Sequence, residues 1–402
     1  MSAPGSSAGL GASPFPCDRS APRVVVSSLP DAYGAARQAV TAFDICAARG
    51  RRVLVKPNAG RIATPGQGIT TSPAVVAAVI DAFLEAGAEV AVGESPITGV
   101  KTLEALASTG IATVAQERGA RLIDLDERKP LKVEIPGGRA ITTLSVCTEV
   151  LEHDIIVSVP VMKTHMHTGV TLAVKNMKGC LWRRTKVDLH MLPRIEDSPE
   201  KPLNVAIADM ARVLTPHFSV IDGSCGMEGL GPSAGTAKSA GVVVAGVDAF
   251  AADAVACALM GTSAEAVPHL RLGAANGCGT IDLSRIRVTP ETWRALTVPF
   301  APPPENLAIE FPGVEVRDEQ SCSGCQSTLL LFLKRHGDSL RDYFPDGIPV
   351  RIAIGKGHES LPQGTLCIGN CTVKHKGQGT FVPGCPPVAS QILKALQDST
   401  QS

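Results

Sequence analysis

The chain has 402 residues, 44% apolar and 19% charged, which is ordinary for a globular protein and enough for two or three domains with cores of their own. Lysine plus arginine and aspartate plus glutamate are both 38, so no net field argues for nucleic acid or an anionic membrane as partner. The most apolar stretch, 240–261, is interrupted by Asp248 and Asp253, short of the roughly 20 clean residues a membrane span needs. The first twenty residues lack the basic-then-apolar order of a secretion signal, so the expected location is the cytoplasm.

Residues 1–22 are rich in small residues and proline and read as a disordered tail. Strands are predicted at 23–27 and 52–57, both Val-rich and ended by turn residues, with a helical period over 31–48 between them. Ser72-Pro73 opens a helix over 74–86: serine caps well and proline suits the first turn. Gly87 ends it, and 89–93 is the next strand. A helix at 101–119 and a strand at 121–125 follow. The run 154–160 reads as a strand buried on both faces, and then come a helix at 203–214, strands at 218–222 and 241–247, and a helix at 249–260. Strands and helices alternating at these lengths predict an α/β domain over 23–296 with a doubly wound, largely parallel sheet. A Pro-rich linker covers 297–312. A second, smaller α/β unit occupies 313–402: strand 314–317, helix 326–336, strand 349–354 and a last helix at 387–397.

Five of the twelve cysteines fall in the small unit, and with no secretion signal such clustering points to metal rather than disulfides. Cys322-Ser-Gly-Cys325 offers two thiols from one turn. Cys371 follows Gly369-Asn370, and Cys385 lies in Gly384-Cys385-Pro386-Pro387. A cubane cluster needs thiolates converging from several directions, and tight Gly and Pro loops supply them. The rival set Cys322, Cys325, Cys367 and Cys371 would be a zinc ribbon, whose pairs usually lie about 15–20 residues apart, far closer than Cys325 and Cys367. Surplus thiols or a disulfide remain the third reading.

This segment resembles the proximal-cluster region of the nickel–iron hydrogenase small subunit and its complex I relatives, in which a strand leads into CxGC, a helix follows, then a Gly-x-Cys loop and Gly-Cys-Pro-Pro. The resemblance covers roughly 70 of the 402 residues and implies a 4Fe–4S cluster on Cys322, Cys325, Cys371 and Cys385. Cys367 has no counterpart there.

In the large domain, no acid occurs from Ile155 to Val187, while Lys163, Lys175, Lys178, Arg183, Arg184, Lys186, His165 and His167 do. The stretch begins in a strand, and ligands of open α/β sheets sit beyond the carboxyl ends of strands. Lys163 and His165 are placed on a strand-end loop, where they suit an acid–base or anion-binding role. The basic residues nearer Val187 read equally well as a solvated face. The loop 222–235 holds five glycines but matches no nucleotide motif.

The blocks VLVKPNAG, VAVGESP, SVPVMKTHMHTGVTLAVKNMKGCL and IDGSCGMEGLGP resemble a widespread prokaryotic family of unknown function that is often labelled an iron–sulfur cluster protein. The resemblance spans about residues 50–262. It implies that Lys56, Asn58, Lys163, His165, Lys175, Asn176, Lys178, Asp222 and Gly229 line a common site. A fainter similarity, through His165, Gly169 and Lys175, is to the nickel-dependent lactate racemase group. The expectation that follows is an iron–sulfur oxidoreductase. Its cluster exchanges electrons with a small anionic substrate in a basic pocket, an electron-transfer protein is its partner, and His165 and Lys163 are catalytic. The alternatives are a non-redox racemase or lyase with a structural cluster, and an electron-transfer or assembly partner without its own substrate.

Overall fold

The computed structural model describes residues 9–303, 310–344, 347 and 349–400. Two compact units divide the chain, Met1–Pro303 and Pro304–Ser402. Both are α/β, and each is taken by itself. No helix among the described residues is long and apolar enough to cross a membrane.

The main sheet of the large unit runs, from edge to edge, Arg287–Thr289, Arg23–Ser27, Val242–Gly246, Phe218–Glu228, Ile155–Val159, Arg52–Pro57, Glu89–Glu94 and Arg121–Asp124. The last five are mutually parallel, and Val242–Gly246 is antiparallel to both its neighbours. Successive side chains of a strand face opposite ways. Val53 and Val55 accordingly enter one apolar core with the helix Pro73–Glu85, while Leu54 enters another with the helices Pro202–Ala211 and Ala249–Leu259. Cores on both faces make the sheet doubly wound.

Several expected elements change. The helix expected over 101–119 is two, Thr102–Ser108 and Ile111–Glu117, because Gly110 sits between them at φ +75°, a left-handed conformation that glycine adopts without strain. The helix expected over 31–48 stops at Thr41. The strand expected at 218–222 continues to Glu228, since partners on both sides extend its ladder: Met227 pairs with Lys163 and with Ala237. The first half of the glycine-rich 222–235 is therefore strand, not loop. The expected disordered tail is corrected for its described part, and residues 1–8 lie outside the described residues. Leu10 N–H donates to the Val213 carbonyl, Ser13 Oγ to the His217 carbonyl, and Phe15 packs edge-on against Phe218. Of the Pro-rich 297–312, residues 304–309 lie outside the described residues, and Val298 and Phe300 bond back to Leu259 and Met260.

The small unit has a four-stranded, wholly parallel sheet in the order Val314–Asp318, Val350–Ile354, Leu366–Ile368, Phe381–Val382. Helices Ser323–His336 and Ala389–Thr400 share a core with it through Leu329, Phe332, Ile352, Ile392 and Leu396.

Candidate functional site

In the large unit the polar residues gather at the carboxyl ends of three adjacent parallel strands. Lys56 ends one, Glu94 ends its neighbour, and Ser158 pairs with Lys56 from the third. The Lys56 ammonium is fully buried and donates to Glu94 Oε2 (2.8 Å), the Pro57 carbonyl (2.7 Å) and Asn176 Oδ1 (3.2 Å). Glu94 also accepts the backbone N–H of Ala59 and of Ser95. A buried ion pair is tolerable only when its remaining donors and acceptors are met, as here. Gly179 lies against this pair: a methyl group there would fall on the Glu94 carboxylate and the Lys56 ammonium.

Lys163 and His165 stand two apart on the strand Val161–His165, so both leave it on one face. They are not on a strand-end loop as expected. Asp222 N–H bonds the Pro160 carbonyl, Asp222 pairs with Val161, and the chain turns at Met166–Thr168 into the strand Gly169–Thr171. Lys163 Nζ donates to Asn58 Oδ1 (2.8 Å) and to the Ile69 carbonyl (2.7 Å). Asn58 Nδ2 donates to Asn176 Oδ1 (3.1 Å), joining the two lysine networks.

Lys175 and Asn176 lie on the short helix Ala173–Asn176. Asp253, from the helix Ala249–Leu259, accepts the N–H groups of Ala173 (2.7 Å) and Val174 (3.0 Å), so it caps this helix from outside its own segment. Burial pushes the Asp253 carboxyl up to about 8 despite those two bonds. Asn176 Nδ2 is fixed by the Lys56 carbonyl and Ser158 Oγ, both at 3.1 Å.

The electrostatics are one-sided. Burial alone pulls Lys175 down to about 7. Lys163 is held well below its ordinary value by burial, by Lys175 and by Arg61, and the carboxylate acting on it, Glu94, is already bonded to Lys56. His165 is held well below by burial and by Lys175, His167, His190 and Lys178, so its ring is neutral at pH 7. His165 Nδ1 accepts the His167 backbone N–H (3.1 Å), which leaves the ring proton on Nε2 as a donor. His190, in contact with Lys178, is depressed in the same way.

The structure thus brings together Lys56, Asn58, Lys163, His165, Lys175, Asn176 and Lys178. It does not bring in Asp222 and Gly229 by contact. Asp222 accepts the Ser72 N–H (2.7 Å) and both donors of Ser224, anchoring the start of the helix Pro73–Glu85. Gly229, at φ +74°, bonds Ala301 through its N–H and accepts Thr164 Oγ1 through its carbonyl. Arg183 and Arg184 are exposed, bonded to Asp126 and Asp188 respectively. Lys186 is buried against Ser95 and the Leu181 carbonyl. Arg61, Glu94 and His190 belong to the cluster but were not among the residues expected to line it. Glu94 had a signal, as a lone acid at a strand end. His190 had none, because a turn beyond the acid-free stretch delivers it.

In the small unit the three cysteine-bearing loops follow the carboxyl ends of parallel strands, the position where open α/β sheets place ligands. Asn370 N–H bonds the Gly384 carbonyl (2.8 Å), and Asn370 Oδ1 accepts the Gly384 N–H (2.8 Å), so the Cys371 and Cys385 loops are tied together. A methyl group at Gly369 would lie 3.4 Å from Cys325 Sγ, and one at Gly324 3.5 Å from Cys322 Sγ and 3.4 Å from Pro386. The Cys325 thiol is raised by its hydrogen bond with Cys322, by burial, and by the charges of Cys322, Cys371 and Cys385. The hydrogen bond from the Cys325 thiol, and then backbone N–H groups, lower Cys322 to about 6. Cys371 and Cys385 thus lie near enough to Cys325 for their charges to act on its thiol, and the glycines leave room beside sulfur. Among the described residues, no three His, Cys, Asp or Glu side chains are grouped so as to hold a metal ion. Cys367 is apart from them, buried with Ala353 and Leu361 and directed at the carbonyls of Thr365 and His375.

Known proteins add the following. The chain is 30% identical over 227 residues to the "Thylakoid-associated protein sll1697" of Synechocystis sp., a match covering 55% of this chain and 66% of that protein. The chain thus spans less than two thirds of that relative's length. Among solved structures, the lactate racemase apoprotein from Thermoanaerobacterium thermosaccharolyticum aligns with a TM-score of 0.38 and 12% identity over 98% of this chain and 86% of that one. Residues 53–258 match the family described as "Domain of unknown function (DUF362)", about half of the chain and all of the cation cluster, and the chain belongs to that family.

Proposed function

We propose that this chain is an iron–sulfur oxidoreductase whose large unit binds a small anionic substrate and whose small unit holds a 4Fe–4S cluster. The observation that carries the substrate half is the cation cluster. Lys163, Lys175 and His165 share one buried region, and among the described residues the carboxylate that acts on Lys163, Glu94, is already bonded to Lys56. Such a region is electrostatically incomplete. An incoming anion would stabilise the protonated lysines and raise their depressed values. His165, neutral with its proton on Nε2, would donate to an oxygen of the substrate.

Cys322, Cys325, Cys371 and Cys385 would hold the cluster. When bound, such a cluster supplies one-electron transfer. Burial of Cys325 and the backbone N–H groups around Cys322 would tune it.

The test of the cluster is purification without oxygen, with iron, sulfide and zinc assayed and the visible spectrum recorded before and after dithionite. Broad absorption that bleaches supports a redox cluster, whereas stoichiometric zinc in a colourless sample removes it. The test of the anion site is calorimetric titration with oxalate in two buffers of different ionisation enthalpy. Binding with proton uptake is expected near pH 7, and no binding by the folded protein defeats the anion reading. A non-redox racemase or lyase is the second reading. It is favoured by the neutral His165 beside Lys175, a pair suited to proton transfer without electrons. It predicts a cluster that keeps its oxidation state through turnover.

A further inference from the structure

Lys175 differs from the other cations around it in what holds its side chain. Lys56 is bonded to Glu94, Lys163 to Asn58 and the Ile69 carbonyl, Lys178 to His190, and Lys186 to Ser95. Among the described residues the Lys175 side chain has no hydrogen bond and no ion pair, although only 9% of the residue is exposed. Its backbone is fixed all the same. Asp253 holds the two N–H groups that open its helix, and the next residue, Asn176, is bonded to Lys56, Asn58 and Ser158.

A primary amine that is desolvated, rigidly mounted and free of a counter-ion is a nucleophile toward carbonyl carbon. The neighbours say what else the carbonyl compound carries. Lys163, Arg61 and Lys178 are positive groups whose charges share this region with Lys175, and they suit a carboxylate. The His165 Nε2–H suits an adjacent carbonyl oxygen. Carboxylate and ketone side by side define a 2-oxo acid.

We propose that Lys175 binds a small 2-oxo acid covalently, as an imine. This rests on the anion-site reading above and adds the ketone to it. The neutral amine attacks the keto carbon and a C–N bond forms. The former keto oxygen, hydrogen-bonded by His165, then leaves as water and carries away the two amine hydrogens. Nothing is oxidised or reduced, and no co-reactant is consumed. The depressed lysine value supports the geometry, since a large fraction of Lys175 is unprotonated near neutral pH.

The experiment uses the full chain, purified without oxygen, incubated with pyruvate and then reduced with sodium borohydride. Tandem mass spectrometry then locates any adduct. The expected result is one modified residue, Lys175, gaining the mass of pyruvic acid less one oxygen atom. Oxalate, which offers carboxylates but no ketone, should suppress the label, and Lys175→Arg should lose it. The proposal is overturned if the label is absent, if it is spread over exposed lysines, or if it persists elsewhere in Lys175→Arg. Locating the adduct in the unmodified chain keeps the test decisive even if that variant misfolds. Oxalate titration separates the two levels: binding without labelling overturns the imine alone, and neither binding nor labelling overturns the anion site as well.

Discussion

The two units hold their candidate sites at the same place on the same kind of sheet, yet they organise them in opposite ways. In the large unit the fold does the organising. Lys56, Lys163 and Asn176 are each tied by two or more bonds before any ligand arrives, and burial depresses the cations left around them. Of the four candidate ligands in the small unit, only Cys325 is buried. Cys371 is exposed, Cys322 and Cys385 are half-buried, and their loops are joined by a few backbone bonds. The lesson is where each site draws its energy. On the proposed reading, the cation site would store a cost that an anion relieves, while the thiol site would draw its bonds from a cluster.

That contrast can be broken most sharply at the thiols. If the proposed cluster is bound, Cys325→Ser or Cys385→Ser should remove most of the retained iron and sulfide, because each takes away one of the four proposed thiolates. Chelation of the wild type should speed amide exchange in the three cysteine loops and leave the strands of the large unit unaffected. Retention of a full cluster in both variants would end the four-ligand assignment.

Next in size is the buried pair. Lys56→Met alone or Glu94→Gln alone should cost about 3–5 kcal/mol of stability, since either strands a buried charge. Denaturant titration measures it, and a loss within error would mean that the pair is not desolvated. Gly179→Ala tests the same spot sterically and should cost about 1–3 kcal/mol, because the methyl group overlaps both partners.

A smaller effect reads the stored cost directly. Lys175 has a folded value of about 7 against an ordinary 10.5, so between those limits the unfolded chain holds the extra proton. Stability therefore rises with pH across that window and is lowest below it. Lys163, also depressed, acts in the same direction, whereas His165, His190 and His269 complete their titration at lower pH. Lys175→Met should melt higher than wild type at pH 7 and show a flatter climb toward pH 10.5. Identical pH profiles would show that the lysine is solvated.

The smallest expected effect is at Cys367. Cys367→Ala should leave the iron content unchanged and cost about 1 kcal/mol, as the loss of a small buried side chain. Loss of iron there would make Cys367 a ligand and revive the zinc-type set.

What the sequence determined by itself was whatever local periodicity and composition carry. The alternation of Val-rich runs with helical stretches defined an α/β chain, because burial on both faces of a parallel strand demands nearly continuous apolar runs, such as Ile155–Val159 with its single Ser158. The acid-free stretch from Ile155 to Val187 was also legible, since a missing charge needs no coordinates to be seen. Tertiary structure decided the rest. The strand Val161–His165 exists because Phe218–Glu228 and Gly169–Thr171 offer partners for its backbone, and no periodicity within five residues could announce that. Asp222 and Gly229 bond to Ser72, Ser224 and Thr164 and so take scaffold roles. Glu94 and His190 join the cluster through contacts among segments far apart in the chain. Proximity of that kind is fixed only when the sheet closes, so the charge balance of the site could not be known before the fold was.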